Sequence, residues 1–358
     1  MANKLITELY SAKTIAEQWT SDPSNAVAYL GEAFFPANKQ MDLDLAWIKG
    51  HNGLPISLKP STFDAKATFR DRIGVSKITT EMPFFREGAL LTEKDRRDML
   101  RLQGADDPCA LSVLNHIYDD ANGLIDGARV VSERMRFQLL APADGNVGIN
   151  IASNGVSYVY NYDPDGSWKA SNYTALTTSA DKWNAITTCD PLDDLSTAMD
   201  AVENKTGTRP DTAIMSLKTF NYLKKAASIR SAILAQNATA NIFMTTELAK
   251  QFIQTTLGLN VIVYTKKFKK EDGTAAAFMP DDVVTLLTAV PVGETMFSYT
   301  PEEVDLASGS AVDTSTVDTG ISVTTVQTVD PVNVETIVSE IVLPTFPNMD
   351  NVAVLKVV

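Results

Sequence analysis

The hydrophobic pattern is most regular between Asp107 and Leu140, where it predicts one long amphipathic helix. Asp107 is a favourable N-cap, and Pro108 suits the first helical turn. One helical stripe is formed by apolar residues at Leu111, Leu114, Ile117, Tyr118, Ala121, Leu124, Ile125, Ala128, Val131 and Met135. About thirty helical residues make a rod of roughly 45 Å, well beyond the usual ~10 to 14 residues. We therefore expect a sheet to lie along the helix.

Alternating apolar residues before this helix predict a long hairpin with a polar tip. The two alternating segments are residues 43–47 and 63–69, and the turn residues between them run from Gly50 to Pro55. A hairpin with so few bulky apolar side chains has little to bury against its own domain. It is either a loose surface excursion or an arm that reaches a neighbouring subunit. We favour the arm. After it, the pattern predicts a single strand at 78–85 and a short helix at 91–103.

Strands are also predicted after the long helix. Residues 147–151 and 156–162 alternate on either side of Asn154-Gly155, which favours a two-residue hairpin turn. Three further strand patterns occupy residues 321–329, 332–338 and 352–358. We expect these terminal strands to pair with the hairpin, which would make residues 190–320 an inserted domain.

Within that insertion, helices and strands alternate without a regular βαβ repeat, so the sheet is not doubly wound. Asp190-Pro191 begins a helix that Gly207 ends, and further helices are predicted at 217–227 and 245–257. Loops are predicted for the small and polar segments, residues 163–181 and 302–320. A short N-terminal amphipathic helix at residues 4–19 could dock on this chain or on another.

Net charge argues against a protein whose main surface grips nucleic acid. The formal charge is −13 with a pI near 4.7, and the segment from Pro301 to Val358 carries nine carboxylates against Lys356. Such a surface would repel DNA. Cys109 and Cys189 form no paired motif, so no disulfide framework is indicated and a reducing cytosol is expected. No apolar run is long enough to span a membrane.

Catalytic signals are nearly absent. The two histidines, His51 and His116, have no partner at ligand spacing, and no nucleotide-binding, zinc-protease or hydrolase motif occurs. The pairs Asp193-Asp194 and Asp281-Asp282 could serve as acid/base or Mg²⁺ carboxylates, but helix-start and turn roles explain both. We expect neither a cofactor nor a metal.

One basic cluster stands out, formed by Lys266, Lys267, Lys269 and Lys270. It could touch a phosphate backbone. Because Glu271 and Asp272 are adjacent, we favour a solvated loop or pairing between subunits.

A collinear series of short segments resembles the major capsid protein E family of lambda-like tailed phages. The segments are residues 33–36 (AFFP), 82–88 (MPFFREG), 190–195 (DPLDDL), 206–211 (TGTRPD), 257–259 (LGL), 278–281 (FMPD), 291–295 (PVGET) and 343–348 (LPTFPN). Together with the extended hairpin between the first two segments, they cover nearly the whole chain in order.

The resemblance implies an α+β fold, the Hong Kong 97-like phage capsid fold. Its N-terminal arm would be residues 1–40 and its extended loop residues 41–88. The peripheral domain would comprise 89–190 and 321–358, with the spine helix at 108–140, and the axial domain would be 191–320. The hairpin, the long helix and the inserted domain predicted from the pattern agree with this arrangement.

By the same resemblance, the chain would be a major capsid protein, not an enzyme, that assembles into hexamers and pentamers of an icosahedral phage head around double-stranded DNA. Its partners would be copies of itself, with scaffolding, portal and possibly decoration proteins, and DNA only by non-specific proximity. It would assemble in the host cytoplasm and reside in the virion capsid. An encapsulin-type compartment shell is the alternative. A third hypothesis, from a different class, is a cytosolic enzyme that binds a metal at Asp193, Asp194 or Asp281.

Contacts between subunits are expected on the arm, near the N-terminal arm and at the basic cluster. The candidate residues are Phe34, Phe35, Trp47, His51, Asn52, Lys59, Phe63, Arg70, Lys266 and Lys267.

Overall fold

A computed structural model describes most of the chain. The described residues are 10–23, 25, 28–49, 76–94, 97, 108–153, 155–236, 244–288, 291–306, 312–328 and 333–358. Side chains are described throughout these ranges except at 47–49, 76–79, 108–117 and 234–236.

The described helices match the strongest predicted patterns. They are α1 (Ala12–Ser21), α2 (Leu30–Phe34), α3 (Pro108–Leu140), α4 (Ser167–Asn172), α5 (Pro191–Thr206), α6 (Leu217–Lys225), α7 (Ala227–Gln236) and α8 (Thr246–Leu257). Helix α5 ends at Gly207 with φ +75°, and α8 ends at Gly258 with φ +72°, a backbone conformation that glycine adopts without steric cost. Helix α7 was not predicted, because its apolar residues do not form a clear stripe.

The strands are short, apart from β16. They are β1 (Ala37–Gln40), β2 (Asp44–Lys49), β3 (Ser76–Glu81), β4 (Phe84–Leu91), β5 (Gly148–Ser153), β6 (Val156–Asn161), β7 (Tyr173–Ala175), β8 (Thr212–Met215), β9 (Asn260–Val263), β10 (Lys267–Lys269), β11 (Ala275–Ala277), β12 (Val283–Leu287), β13 (Thr295–Ser298), β14 (Val312–Val317), β15 (Ile321–Gln327), β16 (Val334–Pro344) and β17 (Ala353–Lys356).

Contacts divide the chain into two compact units. The first comprises Met1–Leu45, Thr80–Met135 and Glu294–Thr345, and the second comprises Ala46–Thr79, Arg136–Gly293 and Phe346–Val358.

The first unit is built on a six-stranded sheet in the order β1-β13-β16-β15-β14, with β4 also paired to β16. Helix α1 covers part of this sheet with Ile15, Ala16 and Trp19. The core of the first unit also includes Ala121 and Ile125 from α3, and both side chains are fully buried. The stripe predicted for the long helix is therefore packed against sheet residues where its side chains are described.

The second unit is built on a five-stranded sheet in the order β7-β17-β12-β8-β9. All residues of β8 and of β12 are buried, as expected for central strands covered on both faces. Helices α5 to α8 supply much of the core around them, including Leu195, Phe220 and Ile253. The N-caps Ser216 and Thr245 accept hydrogen bonds from Thr219 N and Leu248 N at 3.3 Å each, which fixes where α6 and α8 begin.

The predicted strand pairing at the C-terminus is wrong. Strands β5 and β6 form the predicted hairpin, with Gly155 at φ +79°, but among the described residues they pair only with each other. Strand β16 pairs with β4, β13 and β15, whereas β17 pairs with β12 and β7. Alternation of apolar residues identifies a strand and its buried face but carries no information about a distant partner.

Three local predictions are also corrected. The strand predicted at 78–85 is two strands, because Pro83 lacks an N–H group for a sheet ladder. The predicted loop at 163–181 contains α4 and β7, and the predicted loop at 302–320 contains a π-helical turn (Glu302–Leu306) and β14. Threonine, serine and valine in β14 favour an extended chain once a partner strand is available, and β15 is that partner.

Candidate assembly surfaces

The extended hairpin begins as a two-stranded ribbon. Strands β2 and β3 pair only with each other within the described part of the chain. The candidate Trp47 lies on β2, while the candidates His51, Asn52, Lys59, Phe63 and Arg70, like the predicted strand at 63–69, lie outside the described residues. Two strands alone are marginally stable in water, so the ribbon is suited to gain its stability from a partner.

Apolar side chains are exposed at the root of this ribbon. Met41 is 75% exposed and Leu43 47% exposed, although Leu43 O accepts a hydrogen bond from Met82 N at 3.0 Å. Leu90 on β4 is also exposed. Large apolar side chains held in place by backbone hydrogen bonds are typical of surfaces that become buried on association.

The candidates Phe34 and Phe35 are buried within the first unit, with Phe35 fully inaccessible. The carbonyl of Phe35 accepts a hydrogen bond from Thr295 Oγ1 at 3.0 Å. Their apolar character therefore serves the core of the subunit itself.

Arg129 on α3 fastens the N-terminal segment to the first unit. Its guanidinium lies 3.7 Å from Glu32 and 3.3 Å from Asp318, and it faces the rings of Trp19 and Tyr29 at 5.2 Å each. The side chain is 13% exposed, so these charge and cation–π contacts are only partly screened by water. The N-terminal arm is thus held by its own chain at Trp19, Tyr29 and Glu32.

Asp126, one turn earlier on α3, strengthens the same attachment. Its Oδ1 accepts a hydrogen bond from Trp19 Nε1 at 3.3 Å. Burial raises the pKa of Asp126, while the Trp19 hydrogen bond and the charge of Arg129 act in the opposite direction. The contacts of Asp126 and Arg129 with Trp19 show that the N-terminal helix docks on its own chain.

Two consecutive glutamates in the π-helical turn join several strands of the first unit. The carboxylate of Glu303 accepts hydrogen bonds from Lys39 Nζ at 2.9 Å and from Thr316 Oγ1 at 2.7 Å. Glu302, only 3% exposed, pairs with Arg86 and accepts Ser339 Oγ at 3.1 Å. Buried carboxylates need such partners, and these bonds link β1, β4, β14 and β16.

These bonds remove part of the negative charge expected on the C-terminal surface, although Asp305, Asp313 and Asp318 are exposed. Of the carboxylates after Pro301, Glu302 and Glu340 are buried, Glu303 is bound to Lys39 and Asp350 is bound to Lys205 at 2.7 Å. Counting charges in the sequence could not distinguish surface carboxylates from internal ones. Both glutamates lie in residues 302–320, the segment that was predicted to be a loop.

The basic cluster lies on a hairpin of the second unit. Lys266 precedes β10 and is half-buried, whereas Lys267 and Lys269 are exposed on β10. Phe268 between them stacks on Phe278 at 4.7 Å. The predicted cluster is therefore an ordered strand, with lysines on its outer face.

The carboxylates of the enzyme hypothesis have structural partners. Asp281 Oδ1 accepts Ser216 Oγ at 2.7 Å, and Asp194 Oδ2 accepts Trp183 Nε1 at 2.8 Å. Among the described residues, no group of three or more His, Cys, Asp or Glu side chains could hold a metal ion. None of the described helices is both long and apolar enough to cross a membrane.

The comparison with protein families decides the identity. The model of the phage major capsid protein E family matches residues 11–357. This chain belongs to the phage major capsid protein E family. No curated protein sequence matches it.

Solved structures with the same fold agree. A proposed capsid protein of a prophage in Escherichia coli CFT073 has 12% identity and a TM-score of 0.59, covering 98% of this chain and 99% of that chain. A phage-related protein from Bordetella bronchiseptica RB50 has 14% identity and a TM-score of 0.55, covering 97% of this chain and 96% of that chain. At these identities the likeness establishes the fold.

Family and fold together confirm the α+β phage capsid fold expected from the sequence. The protein is a phage major capsid protein, it resides in the virion capsid, and the capsid is assembled from many copies of it. The encapsulin alternative is not favoured.

Proposed function

We propose that this capsid protein forms the hexamers and pentamers of an icosahedral tailed-phage head that encloses double-stranded DNA. The observation that supports this most directly is the β2–β3 ribbon, which has no third strand among the described residues and carries exposed Met41 and Leu43 at its root. A neighbouring copy can supply the missing contacts. Many such weak contacts act together and close a shell cooperatively.

The four structural parts carry different tasks in this proposal. The extended loop (41–88) contacts neighbouring copies, the arm (residues 1–40) is attached to its own subunit through Trp19, Tyr29 and Glu32, and the long helix (108–140) stiffens the peripheral part. The axial part is the core around β8, β9 and β12 with helices α5 to α8, and it faces the centre of each capsomer. Contacts within one copy join β13 and β14 to the sheet that holds β16, so the axial part we propose ends before β13.

Partners other than the protein itself belong to the same proposal. We expect scaffolding and portal proteins to bind the assembling shell, with a decoration protein as a third candidate, while DNA lies near the protein without being bound specifically. A catalytic role is not part of the proposal, since Asp194 and Asp281 are engaged by Trp183 and Ser216.

Deletion of residues 48–66 tests the role of the extended loop. We expect a folded subunit whose circular dichroism and thermal unfolding resemble those of the intact chain, but which forms no closed particles, because the contacts with neighbouring copies are lost. Mass photometry measures the particle fraction. The control replaces the same residues with a Gly/Ser linker of equal length, and we expect it to fail in the same way. Normal particles from either variant would refute the assembly role of the loop.

A further inference from the structure

The β10–β11 hairpin presents a basic face to solvent. Phe268 turns inward to stack on Phe278, so the neighbouring Lys267 and Lys269 lie together on the opposite face of the strand. Their cross-strand partners are Ala277 and Ala275, which leave the two ammonium groups uncovered. Within the described part of the chain, neither lysine forms an ion pair. This surface, defined by Lys267 and Lys269, is called the basic face.

The same unit carries an acidic surface that is repulsive within a single copy. Asp181, Asp190 and Asp193 are exposed and Asp194 is half-buried, and the side chain of Asp190 forms no capping hydrogen bond on α5. Burial raises the pKa of Asp194, the hydrogen bond from Trp183 lowers it, and the negative charges of Asp193, Asp190 and Asp181 raise it. No ion pair to these four carboxylates is present among the described residues. This surface is called the acidic flank.

The sheet topology places the strands that precede the two surfaces at opposite edges of the sheet of the second unit. The acidic flank follows β7, at one edge of the sheet, and the basic face follows β9, at the other edge. Strand β7 runs parallel to β17, which is antiparallel to β12; β12 is antiparallel to β8, which is parallel to β9. Strands β7 and β9 therefore point the same way and end at the same end of the sheet.

Four strand spacings separate these edges, or about 19 Å at roughly 4.8 Å per spacing. The two charged surfaces therefore follow strands at the two edges of the sheet, and both begin at the same end of it. Two complementary patches that lie on different sides of one subunit make a head-to-tail contact, and such contacts close into rings when the rotation per copy is right.

We propose that the basic face of one copy docks against the acidic flank of the next copy around each capsomer. This inference rests on the proposed function and names the surfaces that form the ring. A second copy fits the basic face because its acidic flank brings carboxylates to Lys267 and Lys269. The same contact relieves the repulsion among the carboxylates of that flank. A nucleic-acid backbone would neutralise Lys267 and Lys269 but leave the acidic flank unrelieved. Charge complementarity of this kind fixes register and selects the partner.

Charge reversal on each surface tests the proposal. The variants of the full chain are Lys267→Glu with Lys269→Glu, and Asp190→Lys with Asp193→Lys, and a third combines all four changes. Each two-site variant places like charges opposite each other, so we expect at least a tenfold lower fraction of rings and particles by native mass spectrometry and electron microscopy. The four-site variant restores opposite charges and is expected to assemble as the intact chain does.

Mixing the two-site variants gives a sharper result. In a ring that alternates the variants, the reversed face of each copy meets the reversed flank of the next, or a normal face meets a normal flank. Alternation is feasible only in even-numbered rings. We expect an equimolar mixture to recover hexamers and not pentamers, although neither variant assembles alone.

A matched control reverses Lys225→Glu with Arg230→Glu, two exposed cations of the same unit, and we expect it to assemble normally. Assembly of Lys267→Glu with Lys269→Glu at the control level, or failure of the four-site variant to recover, would overturn the proposed contact. Failure of the unaltered chain to form any ring or particle would instead overturn the proposed function, so the two failures are distinguishable.

Discussion

At the scale of single residues, glycines occupy two opposite environments in the first unit. Gly123 and Gly127 lie one turn apart on the exposed side of α3, and a methyl group added at either would meet no atom within 4 Å. A methyl group added at Gly320 would instead overlap the ring of Phe297, which is buried. The first two positions tolerate a side chain, whereas the third requires glycine because of packing.

Alanine substitutions should separate these environments. Gly123→Ala and Gly127→Ala should each stabilise the unassembled subunit by about 0.5 to 1 kcal/mol, because the unfolded chain loses conformational freedom and the helix gains a better residue. Gly320→Ala should cost about 1 to 3 kcal/mol through overpacking. Urea unfolding measures all three, and a stabilising Gly320→Ala would contradict the close packing of Gly320, in the turn before β15, against the ring of Phe297.

A second prediction concerns pH. Because burial and neighbouring carboxylates raise the pKa of Asp194, the folded state binds a proton more readily than the unfolded state. The cost of burying the charge is present at neutral pH and is relieved as the pH falls through the folded-state pKa. Asp194→Asn keeps an oxygen acceptor for Trp183 and should raise Tm at pH 7, with the gain shrinking towards pH ~4.

Differential scanning fluorimetry of the unassembled subunit across this pH range checks the prediction. The exposed Asp305→Asn serves as the control and should show no such gain. If Asp194→Asn lowered Tm equally at all pH values, the carboxylate would be a favourable partner of its surroundings, and the acidic flank would not be repulsive.

At the scale of elements, boundaries marked by local chemistry were predictable from the sequence. Pro191 and Gly207 delimit α5, Gly258 ends α8, and Gly155 turns the β5–β6 hairpin, because each of these positions has a backbone requirement that few residues meet. Partners of strands were not predictable. The choice of β4 as the neighbour of β16 depends on packing between segments that lie far apart in sequence. The alternation of apolar and polar residues gives no information about that choice.

The same limit applied to the assembly surfaces. The basic cluster and the ribbon could be recognised as unusual segments, since one concentrates charge and the other lacks apolar bulk. The acidic flank was explained as a helix start, because its four carboxylates come together only when residues 181–190 return beside α5. The contacts of Arg129 with Trp19, Tyr29 and Glu32 could not be inferred from its position on the long helix.

Removal of the Arg129 charge should loosen the N-terminal segment. Arg129→Met keeps much of the apolar stem while deleting two ion pairs and two cation–π contacts. Since the side chains of Glu32 and Asp318 are 42% and 49% exposed, water screens both ion pairs, and we expect a loss of about 2 kcal/mol in total.

Hydrogen exchange monitored by mass spectrometry would locate the effect. Exchange should accelerate in peptides that cover α1 and α2, with little change in the sheet of the second unit. Arg230→Met, at an exposed position on α7, provides the control. Unchanged exchange in the N-terminal peptides would show that Trp19 and Ile15 alone hold the segment.

At the scale of the whole molecule, the subunit combines two well-packed units with surfaces that a single copy leaves uncovered. Buried strands β8 and β12 and the carboxylate-linked sheet around Glu302 give rigid bodies. In the described part of the same chain, no third strand pairs with the β2–β3 ribbon, and no ion pair forms with the basic face or with the acidic flank. Rigid bodies with complementary, separately placed surfaces are what repeated association into a closed shell requires.

Electron microscopy of the purified, unaltered chain, with its mass distribution determined by sedimentation on the same sample, tests this account most directly. The account predicts closed hollow particles of uniform size and intermediates that are rings of the 38.9 kDa subunit. A single monodisperse species with the mass of one chain, persisting at high protein concentration and in the presence of crowding agents, would contradict it.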